Sequence, residues 1–139
     1  MVEYTMGGRV MENRMVWKYY NAHPKGIATT DCVVRAVCTA FNTDYMETRR
    51  NLNRAKRKLG YSSYKDRKFL YDYLKDYERL IFKGIAGQPR EKAKDFALSH
   101  PTGTYILSLR GHATVCENGY IVDTWDCTYL TVYTAWRIK

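Results

Sequence analysis

Four cysteines and three histidines are the side chains of this chain best suited to nucleophilic or metal chemistry. Cys32 differs from the other cysteines in its setting, because it follows residues 29–31, which can all cap a helix, and opens the apolar run of residues 32–41. The N–H groups at a helix N-terminus stabilise a thiolate, which is the nucleophilic form of cysteine. The sequence therefore predicts Cys32 as a candidate nucleophile, although an ordinary buried cysteine fits the same position.

A histidine and an aspartate are predicted to meet across a β-hairpin near the C-terminus. Asn118-Gly119 favours a two-residue type I′ turn, and this turn fixes the register of the strands on either side. The register puts His112 and Asp123 on one face as diagonal neighbours, roughly 7 Å apart between Cα atoms. A carboxylate and an imidazole can bridge that separation, so Asp123 can orient His112 as a base. Trp125, predicted opposite His112, would shield their contact from water.

Three segments resemble, in the same chain order, the nucleophile, base and orienting segments of papain-like cysteine peptidases. They are Asp31-Cys32 at a helix start, Gly111-His112-Ala113 entering a strand, and residues 123–126 on the next strand. The resemblance covers about residues 29–41 and 103–127. It implies a thiol hydrolase that cleaves an amide or related acyl bond of a protein or peptide substrate without a cofactor. In that reaction Cys32 is the nucleophile, His112 the general base and acid, and Asp123 the orienting residue.

Residues 31–36, Asp-Cys-Val-Val-Arg-Ala, are also similar to a motif of small, largely uncharacterised bacteriophage proteins, written Asp-Cys-Val-x-Arg-Ala. The chain departs from the peptidase pattern at the oxyanion hole. Papain-like enzymes place a Gln shortly before the cysteine, whereas here no Gln precedes Cys32 and Gly26 stands in that region. Asn21 or the hydroxyl of Thr30, helped by the backbone N–H of Cys32, is the predicted substitute.

Two further alternatives follow from this departure and from the carboxylate at position 123. Asp123 replaces the Asn typical of papain itself and resembles transglutaminase-type branches, so acyl transfer stays open beside hydrolysis. The missing Gln keeps open a papain-like fold that has lost turnover and retains only its binding groove.

A zinc site is the main competing interpretation of the cysteines. Cys32 and Cys38 lie six residues apart, which is about 240° around a helix. His112 and Cys116 share a strand face but are separated by roughly 13 Å along the strand. Neither pair can hold one tetrahedral ion with bonds of about 2 Å, so no metal site is predicted. Cys38, Cys116 and Cys127 are interpreted as core residues.

The net charge of +9 is concentrated in residues 49–68, which contain nine Lys or Arg and the single acid Asp66. Three of these basic residues are predicted on one face of a helix, namely Arg50, Arg54 and Arg57. Tyr61 and Tyr64 interleave with the charges and can stack on bases. The segment is predicted to bind an acidic protein partner or nucleic acid. The alternative function is therefore a non-catalytic basic binding module, and a merely solvated helix face is the third interpretation.

The elements needed to position these residues make an α+β fold, with helices in the N-terminal half and an antiparallel sheet in the C-terminal half. Helices are predicted from residue 32, over 44–59, from 66 to about 81 with a change to strand around 80–83, and over 90–98. Strands are predicted over 14–20, 103–110, 112–117, 120–126 and 129–138.

The length of 139 residues and the hydrophobic content of 45% predict one domain over residues 1–139 and exclude a disordered chain. The resemblance described above implies that this domain is papain-like. No apolar run approaches the roughly 20 residues of a membrane helix, and the first ten residues do not resemble a secretion signal. We therefore expect no membrane association and a cytoplasmic location, in the host cytoplasm if the protein is encoded by a bacteriophage.

Overall fold

The computed structural model describes residues 2–6, 9–13, 15–27 and 29–139. Within these ranges the fold is α+β, with four helices and a six-stranded mixed sheet. The helices are α1 (Cys32–Phe41), α2 (Tyr45–Leu59), α3 (Arg67–Tyr73) and α4 (Ala93–Ser99). The strands are β1 (Val2–Met6), β2 (Arg9–Asn13), β3 (Trp17–Tyr19), β4 (Glu78–Ile81), β5 (Thr104–Leu109), β6 (His112–Glu117), β7 (Tyr120–Asp123) and β8 (Val132–Arg137). No described helix is both long enough and apolar enough to cross a membrane.

The main sheet has the strand order β3-β7-β6-β5-β8-β4, and β1 and β2 form a separate antiparallel pair. The prediction of an antiparallel sheet in the C-terminal half is wrong in one respect, because strand β3 joins the sheet edge in parallel with β7. Strand β4, which lies where the sequence predicts a change from helix to strand, forms the opposite edge and is antiparallel to β8. A parallel partner requires a long crossover, and here about a hundred residues separate the two strands. Local alternation of residue types carries no information about such a partner.

The predicted helices differ most from the structure where a strand competes with them. Helix α2 starts as predicted, with the Asp44 carboxylate accepting the Glu47 N–H at 2.9 Å, and it ends at Gly60 in a left-handed conformation. The helix predicted from 66 to about 81 ends at Tyr73, because residues 78–81 pair with β8 as a strand.

The sequence analysis predicts no strand before residue 14, so β1 and β2 are an addition, and the remaining differences concern element ends. Helix α4 begins three residues later than predicted and ends one residue later. Strand β3 is shorter than the predicted 14–20, whose first residue lies outside the described residues. The predicted strand 120–126 ends at Asp123, and the last strand begins at Val132 rather than at 129.

Helix α1 is buried on most of its surface and places the start of the helix against the sheet. Its buried residues are Val33, Val34, Arg35, Ala36, Val37, Cys38 and Ala40. A helix that is apolar nearly all round is buried in a core, and α1 packs mainly on β6 and α2. It shares one hydrophobic cluster with Leu52, Phe69 and Trp136, while Phe96 and Leu107 belong to a second cluster. The packing of α1 on β6 brings Cys32 close to the start of the strand that carries His112.

Candidate active site

Cys32 is the first residue of α1, as predicted, and it is half-buried. Burial alone would raise the pKa of its thiol. The hydrogen bond to His112, the backbone of Ala113 and the positive charges of His112 and Arg35 outweigh burial, so the pKa of the Cys32 thiol lies below its usual value. Burial instead raises the pKa of Cys38 and of Cys127. Of these three thiols, Cys32 is the one whose surroundings favour the thiolate.

The His112–Asp123 contact predicted from the hairpin is present. Asn118 and Gly119 both have positive φ, of 49° and 80°, and Cys116 lies opposite Ile121 in the register. His112 Nε2 lies 2.7 Å from Asp123 Oδ2. The Cys32 thiol interacts with the same ring, and the two residues line one cavity. The imidazole therefore lies next to both the thiol and the carboxylate.

The Asp123 carboxylate is buried and receives several hydrogen bonds. The Thr114 hydroxyl donates to Oδ2 at 2.6 Å, and the Thr124 N–H donates to Oδ1 at 2.6 Å. Burial opposes ionisation, but the bonds from His112, Thr114 and Thr124 and the charge of His112 hold the pKa of Asp123 below its usual value. Thr114 lies on the same predicted strand face as His112 and Asp123, but a threonine on a strand gives no reason by itself to expect a hydrogen bond to the carboxylate.

The pKa of His112 shifts in the direction opposite to that of Cys32. Burial favours the neutral ring, but hydrogen bonds to Asp123, Cys127 and Cys32 and the charge of Asp123 prevail and raise the pKa of His112 to about 11. A lowered thiol pKa beside a raised imidazole pKa favours a thiolate–imidazolium pair at neutral pH. The Trp125 ring, 39% exposed, lies 4.9 Å from the His112 ring between centroids and covers part of it.

Arg35 is a buried cation that joins two carboxylates at the site. Its Nη1 bonds to Asp31 Oδ1 and to the Thr29 carbonyl, and its Nη2 lies 3.7 Å from Asp123 Oδ1. The Tyr45 hydroxyl donates to the other oxygen of Asp31 at 2.5 Å. These contacts form a buried network from Tyr45 through Asp31 and Arg35 to Asp123. The i, i+4 spacing of Asp31 and Arg35 is a sequence signal for the first ion pair, but no local signal marks the second.

Cys127 is buried, as predicted for a core residue, but it also touches the site. Its Sγ lies 3.6 Å from Asp123 Oδ2, and it is within hydrogen-bonding reach of His112. The possible ligand atoms of His112, Asp123 and Cys127 all lie within 4.8 Å of one another. Burial raises the pKa of the Cys127 thiol, and the protonated thiol can donate to the carboxylate. These three residues are therefore arranged as a hydrogen-bonded cluster around Asp123. His112 and Cys127 belong to the cysteines and histidine weighed as zinc ligands from the sequence, whereas Asp123 does not.

The predicted oxyanion donors Asn21 and Thr30 have other partners in the structure. The Asn21 amide donates to the Ile27 carbonyl at 3.1 Å, and its oxygen accepts the His23 N–H at 2.9 Å. The Thr30 hydroxyl accepts a hydrogen bond from Lys65 Nζ at 3.1 Å. An oxyanion role for either side chain stays a prediction. The backbone N–H of Cys32 is the donor that lies at the helix terminus beside the thiol.

A cavity of about 200 Å³ opens beside Cys32 and His112. The three arginines predicted to bind a partner, Arg50, Arg54 and Arg57, are exposed on α2 and do not line this cavity. Lys65 and Arg67, from the later part of the same basic segment, line the cavity instead. A binding role for the three arginines of α2 stays a prediction. The part of the basic segment that lines the cavity with the thiol is the loop before α3 and the first residue of that helix.

The order of the site along the chain is a cysteine at a helix start, a histidine at a strand start and an aspartate at the end of the next strand. This order and the contacts between the three side chains are the observations on which a functional interpretation can stand. Comparison with known proteins adds nothing to them, since the chain matches no protein-family model, no curated protein and no solved structure.

Proposed function

We propose that the protein is a cysteine peptidase-like thiol hydrolase that cleaves an amide or related acyl bond of a protein or peptide. The position of His112 carries the proposal, because its ring contacts both the Cys32 thiol and, at 2.7 Å, the Asp123 carboxylate. The opposite pKa shifts of Cys32 and His112 support it, since they favour the reactive ion pair. The papain-like arrangement, with the nucleophile at the start of a helix packed on the strand that bears the base, is part of the proposal.

The chemistry follows from the contacts. The Cys32 thiolate attacks the substrate carbonyl carbon, a C–S bond forms, and the carbonyl oxygen becomes an oxyanion next to the Cys32 N–H. The His112 imidazolium then gives its proton to the leaving amine as the C–N bond breaks, which leaves a thioester. A water molecule then loses a proton to neutral His112 and attacks the thioester carbonyl; the C–S bond breaks, which releases the acid and restores the Cys32 thiolate beside the His112 imidazolium. Asp123 orients the ring and stabilises its positive charge throughout.

Acyl transfer is the same mechanism with an amine in place of water in the second half. No cofactor takes part in either version. Cys32, Cys38 and Cys127 form no disulfide, which fits a reducing compartment, and we include a cytoplasmic location in the proposal, that of the host cell if the gene is viral.

The second candidate function is binding without catalysis through the basic helix α2. Its supporting observation is the exposure of Arg50, Arg54 and Arg57, which leaves their guanidinium groups accessible to an acidic protein or a nucleic acid. This function requires no reactive thiol, so the chemistry of Cys32 distinguishes the two candidates.

The test uses p-nitrophenyl acetate, an activated ester that needs no specific recognition. We expect a burst of p-nitrophenolate and an acetyl group on Cys32, located by peptide mapping. Cys32→Ala should abolish both signals, whereas the matched control Cys38→Ala, which removes a buried thiol from the same helix, should retain them. Hydroxylamine added as a competing nucleophile separates transfer from hydrolysis. A folded wild-type protein that is not acetylated at Cys32 would refute the hydrolase and leave the binding module.

A further inference from the structure

The cavity beside Cys32 has walls from two parts of the chain. One wall comes from the loop before α3 and the start of that helix and contributes Tyr64, Lys65 and Arg67. The other wall comes from the end of β5 and the start of β6, where Gly111 and His112 lie. At about 30 Å³ per water molecule in the liquid, 200 Å³ holds roughly seven waters, which is the space of one side chain rather than of a long peptide.

The charge of this cavity is positive. Lys65 and Arg67 form no ion pair with any described residue. Asp66 is the one acid among the cavity residues, and its carboxylate already accepts the N–H of Lys68 at 2.9 Å as the N-cap of α3. The two cations are therefore only partly compensated by the acid between them.

Both cations line the same cavity as Cys32, and each makes one further contact. Lys65 Nζ donates to the hydroxyl of Thr30, two residues before Cys32, at 3.1 Å. The Arg67 guanidinium lies over the Tyr133 ring, 5.4 Å from its centroid, and this contact occupies a face of the group while its N–H edges can still donate. An ammonium and a planar guanidinium beside one small cavity are well suited to a carboxylate or a phosphate.

We propose that this cavity binds an anionic side chain, carboxylate or phosphate, of the substrate next to the acyl bond that Cys32 attacks. The proposal rests on the proposed function and narrows its substrate class to acidic or phosphorylated peptides. It assigns specificity to Lys65 and Arg67 rather than to the exposed arginines of α2. Those arginines can speed an encounter with an acidic partner, but they do not line the cavity at the thiol.

The test compares two alkylating agents that differ in charge, iodoacetate and iodoacetamide, in their rates of reaction with Cys32. Lys65→Gln combined with Arg67→Gln should lower the iodoacetate rate about three- to tenfold at low salt and leave the iodoacetamide rate unchanged. The matched control, Arg50→Gln combined with Arg54→Gln, removes the same charge from α2 and should change the ratio of the two rates by less than about twofold. Lys65→Gln alone, which leaves α3 intact, should give an intermediate ratio.

Three capped dipeptides identify the anion by the protection they give Cys32 against iodoacetamide. They are acetyl-Glu-glycinamide, acetyl-phosphoserine-glycinamide and the neutral acetyl-Gln-glycinamide. Stronger protection by the first indicates a carboxylate, and stronger protection by the second indicates a phosphate. An unchanged iodoacetate-to-iodoacetamide ratio in the double variant, or equal protection by all three peptides, would overturn the inference. A wild-type Cys32 that is inert to iodoacetamide would instead overturn the proposed function.

Discussion

Replacing Arg35 by methionine removes the buried cation that joins the Asp31 and Asp123 carboxylates. Arg35 is only 8% exposed, and the two carboxylates it contacts are equally buried. Removing one partner of a buried ion pair typically costs about 3–5 kcal/mol, since the other charge stays buried without compensation. Here each carboxylate keeps further donors, Tyr45 for Asp31 and Thr114 for Asp123. We therefore expect a loss near the lower limit, about 3 kcal/mol of unfolding free energy at neutral pH.

The pH dependence of this loss distinguishes an electrostatic cause from a packing defect. Burial opposes ionisation of Asp31, but bonds from Tyr45 and Thr29 and the charge of Arg35 lower its pKa, and the pKa of Asp123 is lowered as well. A carboxyl group with a lowered native pKa contributes stability above its unfolded pKa of about 4, and this contribution is lost as the pH falls through the native pKa. Without Arg35 the native pKa of Asp31 rises, so the variant takes up a proton at a higher pH. Its deficit relative to wild type should therefore be smaller near pH 4 than near pH 7.

The assay is urea unfolding at both pH values, monitored by tryptophan fluorescence. The free energies of unfolding are compared where the dependence on urea concentration, the m value, is the same in both proteins. Arg50→Met, which changes an exposed arginine on α2 in the same way, is the matched control and should stay within about 0.5 kcal/mol of wild type. Arg35→Lys keeps the charge but loses the branched guanidinium group that reaches two carboxylates. Its free energy of unfolding should therefore lie between those of Arg35→Met and Arg50→Met. A deficit of Arg35→Met that is equal at the two pH values would refute the electrostatic reasoning.

Three further predictions concern the thiol and the basic helix. The rate of iodoacetamide labelling at Cys32 should rise less steeply with pH than that of an ordinary thiol, because the pKa of the Cys32 thiol is lowered and that of His112 is raised to about 11. In His112→Ala the rate should rise with pH as for an ordinary thiol, and an equal profile in both proteins would show that the pair is not coupled. Asp123→Asn should keep the fold, yet lower the labelling rate below pH 7 at least about tenfold, since the neutral amide no longer favours imidazolium; a rate equal to wild type would remove Asp123 from the site. Arg50, Arg54 and Arg57 should each be replaced by Gln in one variant. We expect the slope of log affinity for a nucleic acid against log salt concentration to become shallower by roughly two to three units, whereas an unchanged slope would indicate a solvated helix face.

The parts of the site that could be predicted from the sequence depend on local chemistry. A two-residue turn at Asn118-Gly119 fixes the strand register, and the period of two along a strand then decides which side chains share a face. That is sufficient to bring His112 to Asp123. A capping residue followed by an apolar run likewise locates the start of α1 at Cys32. Both inferences use residue patterns that are local in the sequence, where few chain conformations compete.

The parts that could not be predicted depend on contacts between distant segments. The parallel pairing of β3 with β7, the approach of Arg35 to Asp123 and the position of Cys127 beside Asp123 are all set by how α1 and the sheet pack together. Residue patterns show that a position is buried, but they do not identify its neighbours. A charged residue such as Arg35 inside an otherwise apolar helix does indicate a buried partner, because an unpaired charge is rarely tolerated there. The sequence names Asp31 as one candidate partner and gives no sign of the second.

The charge network also indicates how the proposed hydrolase could stabilise an oxyanion without the glutamine expected before the nucleophile. Asp31 occupies the N-cap position of α1, yet its side chain makes no capping hydrogen bond, because its two oxygens bind Arg35 and Tyr45. A side-chain cap normally satisfies one of the unpaired N–H groups in the first turn. With the Asp31 carboxylate held by Arg35, those N–H groups at the Cys32 end of the helix stay free to donate to a developing oxyanion, and the helix dipole adds to their effect. The same ion pair thus fixes Asp123 and leaves the terminus of α1 open, which favours the backbone rather than Asn21 or Thr30 as the source of oxyanion stabilisation.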